Sequence, residues 1–253
     1  NRATDTTRQP GSTFKILAAY SAALDAGGLT LASVQDDAPY TYAGANGKSV
    51  NNYDRRYRGF TTLREAITDS INIVTVKTLA QAGVSLGWQY VQEYGFTTVD
   101  SRDMNEALAL GGITQGVSNL ELTAAYAAIA NQGTYTRPVF YSQVIDSNGR
   151  VLLDNTTPTT HTVLKASTAS LLTQGMTSVI TEGTGTSAKL DGKMPVSGKT
   201  GTTSSEYDLW FCGYTPYLTA SIWTGYDENV SLSGDQAYHE RLWAKIMNQI
   251  DSV

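Results

Sequence analysis

Three short motifs in this chain carry residue types that can transfer an acyl group. Ser12 and Lys15 stand three positions apart, Ser70-Ile71-Asn72 follows, and Lys199-Thr200-Gly201-Thr202 lies nearer the C-terminus. On a helix, residues at i and i+3 share one face. The Lys15 amine can therefore take the proton of the Ser12 hydroxyl, provided its pKa is lowered. Its neighbours Phe14, Ile16, Leu17 and Ala18 are all apolar. An ammonium in that setting either snorkels out from the helix end or is held desolvated beside a nucleophile. Pro10-Gly11 gives Ser12 a tight entry to a helix N-terminus, where backbone N–H groups and the dipole favour a developing oxyanion. Taken alone, Ser-x-x-Lys is common by chance, and Ser-x-Asn reads as a polar break between two helices. The run Val196–Thr203 begins with a β-former and is otherwise small and polar, which packs poorly as core but lets a substrate backbone come close. In this order and at this spacing, the three together are strong evidence for a serine acylation site.

The elements that must hold these motifs are visible in the pattern. Residues 14–24 are apolar nearly all round, predicting a buried helix stopped at Gly27-Gly28. Residues 33–60, rich in Tyr, Asn, Asp and Gly, read as a long surface excursion. Thr62-Leu63-Arg64-Glu65 and Ser118-Asn119-Leu120-Glu121 are capping boxes that open helices, the second ending near Gln132-Gly133. A hairpin is predicted for 143–145 and 151–153 around Asn148-Gly149. An amphipathic helix follows over 167–180, then β-like runs at 196–203, 208–214 and 218–226. A final helix shows Trp243, Ile246, Met247 and Ile250 at helical spacing. Helices first, then antiparallel-type strands, then a closing helix make this α+β, a sheet covered by helices.

Composition narrows the classes. The 253 residues, 41% hydrophobic and 16% charged, are enough for a sizeable core and exclude disorder. No apolar run reaches the roughly 18 residues of a spanning helix. The net charge of −5 argues against a nucleic-acid partner. A single Cys212 excludes an internal disulfide, and His161 and His239 lie too far apart in sequence to suggest a zinc site. The opening residues Asn1-Arg2-Ala3-Thr4-Asp5 hold neither an initiator Met nor a signal peptide, as in a piece of a longer protein.

Beyond the three motifs, four stretches give the chain a likeness to a known family: Arg8–Lys15, Asn52-Tyr53-Asp54 through Ala66, Leu110–Ser118, and Gly198–Thr203 leading to Trp210–Pro216. Over nearly its whole length the sequence resembles the penicillin-binding proteins, specifically the transpeptidase domain of the bifunctional class A enzymes. The resemblance implies an antiparallel sheet flanked by helices with a mainly helical subdomain, over residues 1–253. The first strands of that sheet would be missing, and a glycosyltransferase domain and membrane anchor would lie upstream. The expected activity is cross-linking of peptidoglycan stem peptides on the extracytoplasmic face of the bacterial membrane, with β-lactams as inhibitors and with no cofactor or metal. Ser12 would attack a D-Ala-D-Ala carbonyl or a β-lactam ring. Lys15 would take its proton with help from Lys199, whose charge depresses the Lys15 pKa. Ser70 would relay a proton to the leaving amine, and Asn72 would hold Lys15 and the substrate amide. Lys199, Thr200 and Thr202, in the Lys199-Thr200-Gly201-Thr202 strand, would bind the terminal carboxylate. Backbone N–H groups of Ser12 and Thr202 would form the oxyanion hole.

Other signals carry less. Gly183-Thr184-Gly185-Thr186-Ser187-Ala188 follows a helix rather than a strand, unlike a dinucleotide fingerprint. Gly198-Lys199-Thr200 fails as a P-loop because Lys193 stands where its first Gly belongs. Asp36-Asp37 and Glu206-Asp208 read as solvated loop acids, and the tyrosines at 40–57 as either a groove lining or surface packing. A serine β-lactamase shares the three motifs but adds a Glu-x-x-Leu-Asn element. Here Glu106 is followed by Ala107-Leu108-Ala109-Leu110, so it reads as structural. A D,D-carboxypeptidase differs only in its acceptor, and a penicillin-recognising sensor would acylate without turning over.

Overall fold

The apolar run at 14–24 becomes a helix around which much of the molecule is built. In the computed structural model, which describes residues 1–43 and 47–251, strand β1 (Thr7–Arg8) leads into a 3-10 turn at Gly11–Thr13. A π-helical stretch (Lys15–Tyr20) and α1 (Ser21–Asp25) continue it, and every residue of the π stretch is buried. Such wide turns collect at functional sites. Polar groups inside the helix find partners: Ser21 Oγ donates to Ile16 O at 2.9 Å.

Residues 33–60 run mostly along the surface, as expected, but the excursion carries short strands and dips inward at Asp37, Val50 and Asn52. Strands β2 (Val34–Asp37), β3 (Tyr40–Thr41), β4 (Ser49–Val50) and β5 (Gly59–Thr62) lie in and just beyond this segment, with β2 on β5 and β3 on β4, both antiparallel. Asp37 is 0% exposed and Asn52 4%. Two polar side chains of a surface segment can turn inward when they satisfy each other, as these two do. Residues 44–46 of the excursion lie outside the described residues.

Both capping boxes form. Thr62 opens α2 (Leu63–Thr68), and after the Ser70 turn come α3 (Asn72–Ala82) and α4 (Val84–Glu93), which sequence periodicity did not delimit. Strand β6 (Val117–Ser118) pairs with β1, and Ser118 caps α5 (Asn119–Ala130). The Asn148-Gly149 hairpin joins β8 (Gln143–Ile145) to β9 (Val151–Asp154), while β7 (Thr134–Thr136) pairs with β10 (Thr160–Thr162). Helix α6 (Ala166–Thr181) precedes the main sheet, β11 (Ser197–Thr202), β12 (Asp208–Tyr214) and β13 (Thr219–Gly225), antiparallel in that order. Helix α7 (Tyr238–Asp251) closes the chain.

Strand β12 is buried throughout, and its alternation sandwiches the sheet between helices. Phe211 meets Trp243 of α7 edge-on with centroids 5.1 Å apart, whereas Tyr214 reaches Thr173 of α6 at 2.7 Å. Lys199 pairs in register with Cys212, so it shares the Cys212 and Tyr214 face and points into the helical layer. Among the described residues β13 pairs only with β12, leaving its outer edge open.

Candidate active site

Ser12 sits in the 3-10 turn on the wall of a cleft of about 720 Å³, with Asn72 and Thr202 also lining it. Lys15, one turn further on, is 0% exposed, so the snorkelling alternative does not hold. Its Nζ donates to Ser70 O and Asn72 Oδ1, each at 2.6 Å, and to Ser70 Oγ at 3.1 Å. Lys199, also 0% exposed, comes from the sheet and donates to the same Ser70 Oγ at 2.9 Å and to Thr200 O at 3.1 Å. The three motifs, far apart in the chain, thus meet at one serine hydroxyl.

Two amines converging on one oxygen in a dry site cannot both stay charged without penalty. Burial holds Lys15 well below the usual lysine range, and the nearby Lys199 lowers it further. Burial also brings Lys199 down to about 7, opposed by the negative charge of Glu240 on α7 and by Cys212. A neutral amine beside a hydroxyl is a base, and a charged one is a carboxylate anchor. The pair can supply one of each.

Ser70 has φ +54°, the left-handed region that a serine occupies only when its surroundings hold it there. The turn aims both its carbonyl and its hydroxyl at Lys15. Backbone closeness on the other side depends on Gly201: a Cβ there would stand 2.7 Å from Thr13 Cγ2 and 2.8 Å from Pro10 O. The glycine lets β11 lie directly on the Ser12 turn. Thr202 lines the cleft, whereas the Thr200 hydroxyl is paired with Thr184 Oγ1 at 2.8 Å.

Several residues that the motifs did not single out fasten these parts. Arg8 Nε meets Asp208 Oδ1 at 2.7 Å, with side chains 13% and 5% exposed, and its guanidinium lies 5.2 Å from the Trp223 ring centroid. Asp208 also accepts from Trp223 Nε1 and Thr203 Oγ1, both at 2.9 Å. This cluster ties the strand before Ser12 to the end of β11. Gln9 pairs with the backbone of Ile113, joining the loop over 111–116 to the same strand. Both Glu106 oxygens are taken, by Tyr40 Oη and Ala43 N at 2.9 Å each, so its carboxylate anchors the 40s loop. Arg8 and Gln9 lay in a stretch that carried the family likeness, but neither has a type or spacing that announces its partner.

A helix-covered antiparallel sheet with a Ser-x-x-Lys turn, a Ser-x-Asn turn and a Lys-Thr-Gly strand around one cleft is the architecture of the penicillin-recognising serine enzymes. The family model for the penicillin-binding protein transpeptidase domain matches residues 1–250, and the chain belongs to that family, on its class A branch. It is 38% identical over 251 residues to penicillin-binding protein 1F of Bacillus subtilis strain 168, covering 96% of this chain and 34% of that protein. With penicillin-binding protein 1A of Clostridium acetobutylicum the identity is 36% over 248 residues, covering 95% and 30%. The chain spans about a third of the length of these relatives. The crystal structure of penicillin-binding protein 1A from Haemophilus influenzae matches with a TM-score of 0.86 at 25% identity, covering 100% of this chain and 43% of that one. PonA1 from Mycobacterium tuberculosis in complex with penicillin V shares the fold, with a TM-score of 0.82 at 24% identity over 97% of this chain and 69% of that one.

Proposed function

We propose that this domain is a serine-type D,D-transpeptidase that cross-links peptidoglycan stem peptides through a Ser12 acyl-enzyme and is acylated by β-lactams. The observation that carries the reading is the convergence of two buried lysines on Ser70 Oγ beneath the Ser12 cleft. A neutral Lys15 has two N–H bonds, enough for Ser70 O and Asn72 Oδ1, so Ser70 Oγ then accepts from Lys199 alone and the Lys15 lone pair is left to receive the Ser12 proton. Ser12 Oγ bonds to the carbonyl carbon of a D-Ala-D-Ala peptide, and the backbone N–H groups of Ser12 and Thr202 hold the oxyanion. One such donor is worth about 2.7–4 kcal/mol. Ser70 passes the proton from Lys15 to the departing amine, and charged Lys199, with Thr200 and Thr202, holds the terminal carboxylate. An amine from a second stem peptide then takes the acyl group. PonA1, which shares the fold, has been solved in complex with penicillin V, which supports a β-lactam as a ligand here. Stem peptides are the natural partner, and the domain works on the extracytoplasmic face of the membrane, in a longer protein with an upstream glycosyltransferase domain and anchor. Strands from such a segment would complete the sheet along the open β13 edge.

Intact-protein mass spectrometry after treatment with a fluorescent penicillin tests this. One adduct on the native protein and none on Ser12→Ala is the expected result. An adduct on another residue overturns the mechanism. Both Glu106 oxygens are taken by Tyr40 and Ala43, which keeps that carboxylate from activating a deacylating water, and a missing base slows such a step about 10²–10⁴-fold. The adduct should therefore persist for minutes to hours, and release within seconds would move the reading to a β-lactamase.

A further inference from the structure

We infer that Asn52, oriented by the buried carboxylate of Asp37, is a positioning residue that sets the Ser70–Asn72 turn and through it Lys15. Helix α3 begins at Asn72, and its N-cap is Ile71, which has no polar side chain. The first N–H groups of a helix need acceptors from elsewhere. Asn52 supplies one from twenty residues upstream: its Oδ1 accepts from Asn72 N at 3.0 Å and Ile73 N at 3.1 Å. The neighbouring Asn51 O accepts from Asn72 Nδ2 at 2.7 Å. That leaves Asn72 Oδ1 facing Lys15 Nζ. Residues 51 and 52 therefore hold both the backbone and the amide of the one side chain that fixes the lysine from its α3 side.

Asp37 decides which way Asn52 points. Asn52 Nδ2 donates to Asp37 Oδ1 at 2.7 Å, to Asp37 Oδ2 at 3.0 Å and to Arg56 O at 2.8 Å. An ionised carboxylate only accepts, so the reversed amide would set an oxygen against it and N–H groups against the helix N–H groups. Asp37, 0% exposed, also accepts from Arg58 N at 2.9 Å, and the Arg58 guanidinium lies 3.8 Å away. The chain Asp37–Asn52–Asn72–Lys15 runs from a paired buried charge to the proposed base. Its catalytic meaning rests on the transpeptidase reading above.

Asn52→Ala, Asn52→Asp and the exchange Asp37→Asn/Asn52→Asp test it in the full chain. Asn52→Ala should slow penicillin acylation about 10–100-fold, the span of 1.4–2.8 kcal/mol, through the acylation rate constant rather than the affinity. Asn52→Asp sets two carboxylates together and should be slower still. The exchange restores one amide donating to one carboxylate, which then accepts from the α3 N–H groups, and should recover part of the rate, since Arg56 O alone is left without its donor. An exchange variant as slow as Asn52→Asp, or Asn52→Ala acylating at the native rate with only a lower Tm, overturns the inference. If Asn52→Ala does not fold, the comparison of Asn52→Asp with the exchange variant decides alone. Hydrogen exchange gives an arm independent of acylation. Exchange over 70–76 should rise in Asn52→Ala while that over 197–214 stays unchanged, and unchanged protection at 72 and 73 refutes the capping. Failure of the native protein to label would sink the functional reading, and the exchange result would still judge Asn52.

Discussion

The two walls of the cleft are held by different means. On the helical wall, buried Lys15 and half-buried Ser70 and Asn72 are fixed by side-chain hydrogen bonds to one another, with a serine kept in the left-handed region. On the sheet wall, Lys199 to Thr202 are placed by backbone pairing to β12, and the Arg8–Asp208 ion pair fastens the end of the hairpin. Backbone ladders tolerate changes of side chain, whereas a buried polar network loses a partner with every substitution. In the proposed mechanism, proton transfer by a neutral amine lies on the network side, and anchoring of a carboxylate by a charged amine lies on the ladder side.

Exchanging each lysine for arginine should separate the walls most sharply. Guanidinium cannot act as a base at accessible pH, so Lys15→Arg should lose about 10²–10⁴-fold in the acylation rate constant. Lys199→Arg keeps a cation for the carboxylate and should lose about tenfold, equivalent to about 1.4 kcal/mol, mainly in affinity. Equal losses measured by fluorescent penicillin labelling would erase the division of roles.

Breaking the sheet-side fastening should have an intermediate effect. Arg8→Ala leaves Asp208 buried and unpaired, which destabilises by about 3 kcal/mol, the lower end for a broken buried pair since Arg8 keeps some contact with water. Tm should fall and acylation slow with Ser12 still the labelled residue. Loss of stability with native acylation would mean the pair does not set the distance between Ser12 and β11.

The smallest expected effect is on pH dependence. Lys199, at about 7 in the folded protein against an ordinary 10.5, loses its charge as pH rises through 7. Anchoring of a carboxylate should weaken over that range, whereas Lys15, held well below the usual lysine range by burial and by Lys199, serves as the proposed base. The charge of Glu240 raises the Lys199 value, so Glu240→Gln should move the falling limb of acylation to lower pH. Burial raises Glu240 itself from 4.5 to about 7. The folded state therefore binds more protons than the unfolded chain between those values, and stability falls as pH rises through that window. That slope should shrink in Glu240→Gln, as followed by Tm against pH. An unmoved limb would remove Glu240 from the electrostatics of the sheet wall.

Much of this architecture was legible where local chemistry decides local structure. Both capping boxes, the Asn148-Gly149 turn and the helical spacing ending at Ile250 act over a few residues, and each formed as read. Helix α4 was not legible because Gly87 in its middle looks like a breaker. Packing explains it, since a Cβ there would stand 2.7 Å from Ala18 O of the helical run that carries Lys15. The hairpin shows the converse. Val144, Ile145, Leu152 and Leu153 suggest core, yet every residue of β8 and β9 is exposed.

The order and types of Ser12, Lys15, Ser70, Asn72 and Lys199 were enough to point to the family and to the proposed chemistry, because the capacity to be a nucleophile, an amine base or a cationic anchor is a property of side chains. Their protonation states were not, since a lysine's charge depends on what surrounds it in space. Only the tertiary structure buries both amines, brings them to one hydroxyl, and sets Asn52 and Asp37 behind the turn. Desolvation and hydrogen-bond direction arise from groups remote in the chain, and no local pattern of residues encodes them.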